Sequence, residues 1–168
     1  MVSKTEAKQP ITVIGIATIK IKHMDTGKEE EYTTTNIMTN AGLNEIASHW
    51  AVPWTMPSNY SYVMEVGSGS GTPQPTDTGM FQPLYQCFEY VSPTVSGNQV
   101  SFVATYLPSQ CNGYTFQEAG IAFPAQLIES NGTITGVSGT LVDHLVFPIP
   151  VQKTSSIYLE IIITFVIV

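Results

Sequence analysis

Ile16-Ala-Thr-Ile-Lys-Ile-Lys22 alternates apolar and polar side chains, and Asp25-Thr-Gly27 follows it before a second extended run over 28–35. Successive side chains of a strand point to opposite faces, so this alternation describes a sheet with one buried and one solvated face. The glycine-containing turn between the runs makes the pair an opening antiparallel hairpin.

The same grammar recurs downstream. Tyr60-Ser-Tyr-Val-Met-Glu-Val66 reads as a strand, and 84–91 and 100–106, separated by a turn around Ser96-Gly-Asn98, read as a second hairpin. Segments 113–123, 140–147 and 156–168 complete the set. About seven or eight short strands punctuated by Gly, Pro and Asn predict a mostly β fold, an antiparallel β-sandwich or barrel. One segment changes period. Thr39 and Asn40 are helix-starting residues, Leu43, Ile46, Ala47 and Trp50 fall on one helical face, and Pro53 stops the run. One short α-helix with a core-facing Leu and Trp side is expected there.

A chain of 168 residues accommodates one core. The expected organisation is an amino-terminal arm over 1–10 and a single β-sandwich domain over 11–168. Charged residues are only 11%, less than half the usual share of about 25%, which predicts neutral or apolar surface covered by a partner or by other copies of the chain. Charge is also divided along the sequence. Residues 1–28 carry five lysines and two acids, whereas 29–168 carry eleven acids and the single Lys153; there is no arginine. Nucleic-acid recognition normally leans on Arg and Lys stripes, so it is not expected. Residues 1–10 are polar and suggest no targeting segment. The apolar run Ile161-Ile-Ile-Thr-Phe-Val-Ile-Val168 is far below the roughly 20 residues of a spanning helix, and its β-branched content favours a strand, so no membrane partner is expected.

No catalytic, cofactor-binding or metal residues are assigned. Gly67-Ser-Gly-Ser-Gly71 could suggest a phosphate loop, but Pro73 and Pro75 follow it and no lysine appears before Lys153. It also lacks the Gly-x-Ser-x-Gly nucleophile spacing. His23, His49 and His144 are widely separated, and Asp143 and His144, adjacent on a strand, should point apart, which makes His144 a surface or interface histidine. Cys87 and Cys111 flank the second hairpin almost symmetrically and could be bridged if its strands pair as read; two buried free thiols are the alternative.

Four segments, in order, resemble a group of small tailed-phage virion structural proteins: Asn36-Ile-Met-Thr-Asn-Ala-Gly-Leu-Asn-Glu-Ile-Ala47; Val66-Gly-Ser-Gly-Ser-Gly-Thr-Pro-Gln-Pro-Thr-Asp-Thr-Gly79; Gly113-Tyr-Thr-Phe-Gln-Glu-Ala-Gly-Ile-Ala-Phe123; and Val146-Phe-Pro-Ile-Pro-Val-Gln-Lys-Thr-Ser155. The motif residues are Gly67, Gly69, Gly71, Glu118, Gly120, Phe147, Pro148 and Lys153. Physical reasons attach to several of them. The glycines permit tight or left-handed backbone, Glu118 amid Phe116, Ala119 and Ile121 is a structural latch needing hydrogen-bond donors, and Pro148 with Pro150 stops sheet pairing between the last two strands and forces a crossover. The resemblance implies a non-enzymatic virion protein that self-associates, with a trimer favoured, and docks on other virion proteins. It would act as a head decoration or short head fibre, or as a small tail or baseplate adaptor. Eight tyrosines, two tryptophans and the aromatic cluster from Trp50 to Tyr62 motivate a second reading, a carbohydrate-binding module for a host-surface glycan. A hydrolase of host polymers would need a converging acid pair that only the fold could supply.

Overall fold

The computed structural model describes residues 11–51 and 55–168, the side chains of Trp50 and Ala51 excepted. The expected arm over 1–10 and the Pro53 helix stop lie outside the described residues. Eleven strands run in order β1 (Val13–His23), β2 (Glu29–Thr35), β3 (Ile37–Met38), then α1 (Asn40–Ala51), β4 (Ser61–Gly67), β5 (Glu89–Val91), β6 (Pro93–Ser96), β7 (Gln99–Tyr106), β8 (Thr115–Ser130), β9 (Thr133–Ser138), β10 (Asp143–Gln152) and β11 (Ile157–Ile167). They form two antiparallel sheets, β2-β1-β11-β7-β6 and β3-β10-β8-β4-β5, with β9 paired to the far end of β8. The architecture is sandwich-like, not a closed barrel, and has more strands than the seven or eight read from sequence. The strands not read are β3 and β6, with two and four residues and so too short to show a periodic pattern, and the six-residue β9; of the run 84–91 only the three residues of β5 are strand.

The opening hairpin pairs Lys22 with Glu29 through Ile16 with Thr35, and Gly27 takes φ +73° in its turn. In the first sheet β11 is central, with Ile161 opposite Ile19 on β1 and Ala104 on β7. Its odd-numbered residues Ile157 to Phe165 are buried, as are Ala17, Ile19 and Ile21 of β1. Met64, Val66, Ala119, Ile121 and Leu145 from the second sheet are buried in the same hydrophobic cluster. Burying each such side chain is worth about 1.5–3 kcal/mol, so the alternation that defines the strands also assembles the core.

Two sequence expectations are corrected. The second hairpin does not join 84–91 to 100–106: β6 pairs with β7, Ser96 opposite Gln99, while β5 crosses to the other sheet and pairs with β4. Pro93 opens β6 at the sheet edge, where its missing N–H is harmless. The helix does not bury the face read for it. Leu43 is 42% exposed and Ala47 is exposed, whereas Gly42 is buried and Ile46 half-buried. Close approach turns the helix this way, because a side chain at Gly42 would sit 2.5 Å from the Val142 backbone. Thr39 caps the helix: its Oγ1 accepts from the Gly42 N–H at 2.9 Å and donates to the Leu141 carbonyl.

Pro148 and Pro150 lie inside β10, so the pairing they interrupt is with β8 and not between the last two strands. Pairing of β10 with β8 lapses between Val146 and Val151, and β10 and β11 belong to different sheets.

Candidate functional site

The strap 68–84 lies against the second sheet, and a polar cluster is buried beneath it. Glu118 on β8, with no exposed surface, accepts hydrogen bonds from the N–H groups of Gly69 (2.9 Å), Phe81 (2.8 Å) and Gln82 (2.8 Å). The sequence reading of Glu118 as a residue requiring donors thus finds three of them in the strap. The fourth is His144 on β10, whose Nε2 lies 2.9 Å from Glu118 Oε2. His144 Nδ1 lies 2.7 Å from Oδ2 of Asp77, itself on the strap. A carboxylate cannot donate, so an imidazole held between two of them donates from both nitrogens and is the imidazolium. The Phe81 ring packs against it, centroids 4.6 Å apart.

His144 is therefore not the surface or interface residue expected; it is fully buried. Strand alternation does separate it from Asp143, but the partners of His144 come from elements 67 and 26 residues away in sequence, which neighbour geometry does not reveal. Burial would lower the His144 pKa, but Glu118 and Asp77 outweigh it and raise it. Burial would likewise raise Glu118, yet the His144 hydrogen bond and the three N–H donors hold it below the usual carboxylate range.

Gly67 at the end of β4 and the strap glycines Gly69 and Gly71 have a different role from the one read for them. None of Gly67, Gly69 or Gly71 takes a positive φ. They are required by proximity: a Cβ at Gly67 or Gly69 would lie 2.2 or 2.6 Å from Glu118 Oε1, and one at Gly71 would lie 2.7 Å from the Phe81 ring. Gly120 lets the Asp143 carbonyl approach in the same way, to 2.2 Å of where a Cβ would be.

Two further carboxyls lie nearby. Asp143 is fully buried and accepts from the Ile121 N–H (2.7 Å) and Asn36 Nδ2 (2.6 Å), yet burial pushes it up to about 7. Glu65 on β4 is 4% exposed and is pushed to about 7 by burial.

A second locked region lies at one end of the sandwich. Lys153 is fully buried and has no carboxylate partner among the described residues; its Nζ donates to the carbonyls of Leu107 (2.8 Å) and Thr154 (3.1 Å) and to Asn112 Oδ1 (3.2 Å). Burial lowers its pKa. The same loop holds Cys111, joined to Cys87 with Cα atoms 5.9 Å apart. Phe147 is in the core and Pro148 is exposed.

Both nitrogens of His144 are occupied by carboxylates, so the imidazole has no free nitrogen with which to take a proton from a nucleophile. Among the described residues no group of three or more His, Cys, Asp or Glu side chains could hold a metal ion, and no helix is long and apolar enough to cross a membrane. The arrangement fastens a seventeen-residue strap to a sheet. Comparison with protein-family models, curated proteins and solved structures finds no match for this chain.

Proposed function

We propose that this chain is a structural subunit of a tailed-phage particle, acting by self-association and docking. The observation that carries the reading is the outer face of the first sheet. Strand alternation puts Ile14, Ile16, Val103, Ile162 and Val166 on that face, with Ile14 paired to Val166 and Val103 to Ile162. Ile14 and Val103 are 42% and 43% exposed. The neighbouring residues on this half of the face are Thr18, Ser101 and Thr164, while Lys20, Lys22 and Glu160 occupy the other half. A neutral, β-branched surface with a charged border suits packing against protein.

Three observations support a structural role. Glu118, Asp77 and the His144 imidazole are engaged in holding the strap. Tyr62, from the aromatic cluster that motivated glycan binding, stacks on Phe123 at 4.3 Å and contacts Phe102, so its ring is used in packing. Disulfides persist on virion and cell surfaces, outside the reducing cytosol, and Cys87–Cys111 fits that setting. The four motif segments supply the phage assignment, since the face alone would suit many assemblies.

Mass spectrometry of purified particles tests the proposal. The chain is expected as a stoichiometric component, with hundreds of copies indicating the head and some dozens or fewer the tail. Light scattering of the purified chain should find a defined oligomer, a trimer being favoured, and Val103→Lys should dissociate it without unfolding. A wild-type protein that is monomeric and missing from particles would sink the reading.

A further inference from the structure

The Glu65 carboxyl takes no part in any hydrogen bond or ion pair among the described residues, although the residue is only 4% exposed. A buried carboxyl without donors is costly and rare. Its neighbour Glu118, on the same face, has four donors. Glu65 opens instead into a pocket of about 210 Å³, lined by Thr78, Gly79, Met80 and Pro83 of the strap, by Tyr85, and by Gly136, Val137 and Gly139. A liquid water occupies about 30 Å³, so the space exceeds what one bridging water would fill.

We propose that this pocket binds a primary ammonium group on a short alkyl stem, with the Glu65 carboxylate as its counter-ion. The charge around it selects a cation. The titratable groups near Glu65 are Glu118 on β8 and Asp143 and His144 on β10, with Asp77 behind His144, and His144 is the one cation among them. The donor set excludes a hard divalent ion, which wants six or more oxygens, several of them carboxylate. Thr78 adds a hydroxyl-bearing side chain to the same lining. Met80, Pro83 and Val137 offer apolar walls for methylene groups, and the Tyr85 ring is an aromatic wall of the kind that attracts ammonium ions. Such a group occurs on a free alkylamine and on a protein lysine.

Binding should couple to proton release, because burial raises Glu65 to about 7 and the cation needs the ionised form. Between pH 6 and pH 8 the ionised fraction of such a group rises about tenfold. The test is an NMR shift titration of the full chain with n-butylammonium chloride at both pH values, with sodium chloride and n-butanol as controls. Saturable binding about tenfold tighter at pH 8, absent for both controls, is expected. Glu65→Gln, which keeps the side-chain shape, should weaken binding at pH 8 by at least tenfold and remove its pH dependence. Thr78→Val, an exchange on the strap surface, should weaken it several-fold and serves if the glutamine variant does not fold. Parallel titration with the tripeptide Gly-Lys-Gly separates the two sources: binding comparable to butylammonium indicates a protein lysine, and binding of butylammonium alone indicates a free amine. Absence of saturable binding to wild type at pH 8, or affinity unchanged by both substitutions, would overturn the assignment.

Discussion

Glu118 Oε2 and His144 Nε2 lie 2.9 Å apart with neither side chain exposed, and through them the strap 68–84 is held to two neighbouring strands of one sheet. The pair does not stand alone. Three strap N–H groups converge on the same carboxylate, so removing it strands three donors and an imidazolium together.

Glu118→Ala is therefore expected to destabilise the fold by about 3–5 kcal/mol, the usual cost of leaving a buried charge without its partner. For a domain of this size that corresponds to a fall in Tm of about 10 °C. Thermal unfolding followed by circular dichroism measures it, and a shift under about 2 °C would contradict the latch.

The buried carboxyls and the imidazole predict how stability varies with pH. Glu118 is held below its ordinary value, so its contribution is present above about pH 4.5 and is lost as pH falls through the folded value. Glu65 and Asp143 are raised to about 7, so folding favours their protonated forms and their contribution is lost as pH rises from their ordinary values through 7. His144, also raised, loses its contribution on the alkaline side. Stability should peak in the mildly acidic range and decline in both directions. Tm measured from pH 3 to pH 9 shows the profile, and Glu65→Gln should flatten its neutral limb.

Glycine positions in the strap and at its entry from β4 should divide sharply. Gly67→Ala and Gly69→Ala push a methyl group into Glu118 and should cost about 2 kcal/mol or more, as overpacking in a tight site does. Gly79→Ala meets no atom within 4 Å and should be neutral or slightly stabilising, by about 0.5 kcal/mol. Urea denaturation of the three variants distinguishes them.

Reduction of Cys87–Cys111, which closes a loop across 24 positions, should lower stability by about 3 kcal/mol through the entropy returned to the unfolded chain. Denaturation with and without reductant reads this directly.

Deletion of 161–168 removes most of the strand that pairs with both β1 and β7 and leaves the first sheet in two pieces. A soluble chain with native circular dichroism after this deletion would contradict the assigned topology.

Legibility in the sequence followed local periodicity. β1, β2, β7 and β11 were readable because one face of each is buried and alternation records it. β8 was read only as far as residue 123, since the Ala125-Gln-Leu-Ile128 continuation lies where the strand changes partners from β4 to β9. The helix was found from its cap and period, but its orientation was decided by the close approach of Gly42 to Val142, a contact across 100 residues. The site divided in the same way. Glu118 was marked by its apolar neighbours. Asp77 and His144 carried no local sign, because each looks like an ordinary polar residue until the strap folds over the sheet. Glu65 sits inside the apolar run Tyr62-Val-Met-Glu-Val66, and that setting is the local signal of a buried carboxyl.

Burial of Lys153 has a practical corollary. Residues 29–168 contain no arginine and this one lysine, and its ammonium is enclosed by three oxygen acceptors. The folded body past Glu29 therefore offers trypsin no accessible cleavage point. A protease that trims the lysine-bearing start of the chain would leave 29–168 as a single fragment, and cleavage after Lys153 becomes a direct report that the sandwich has opened.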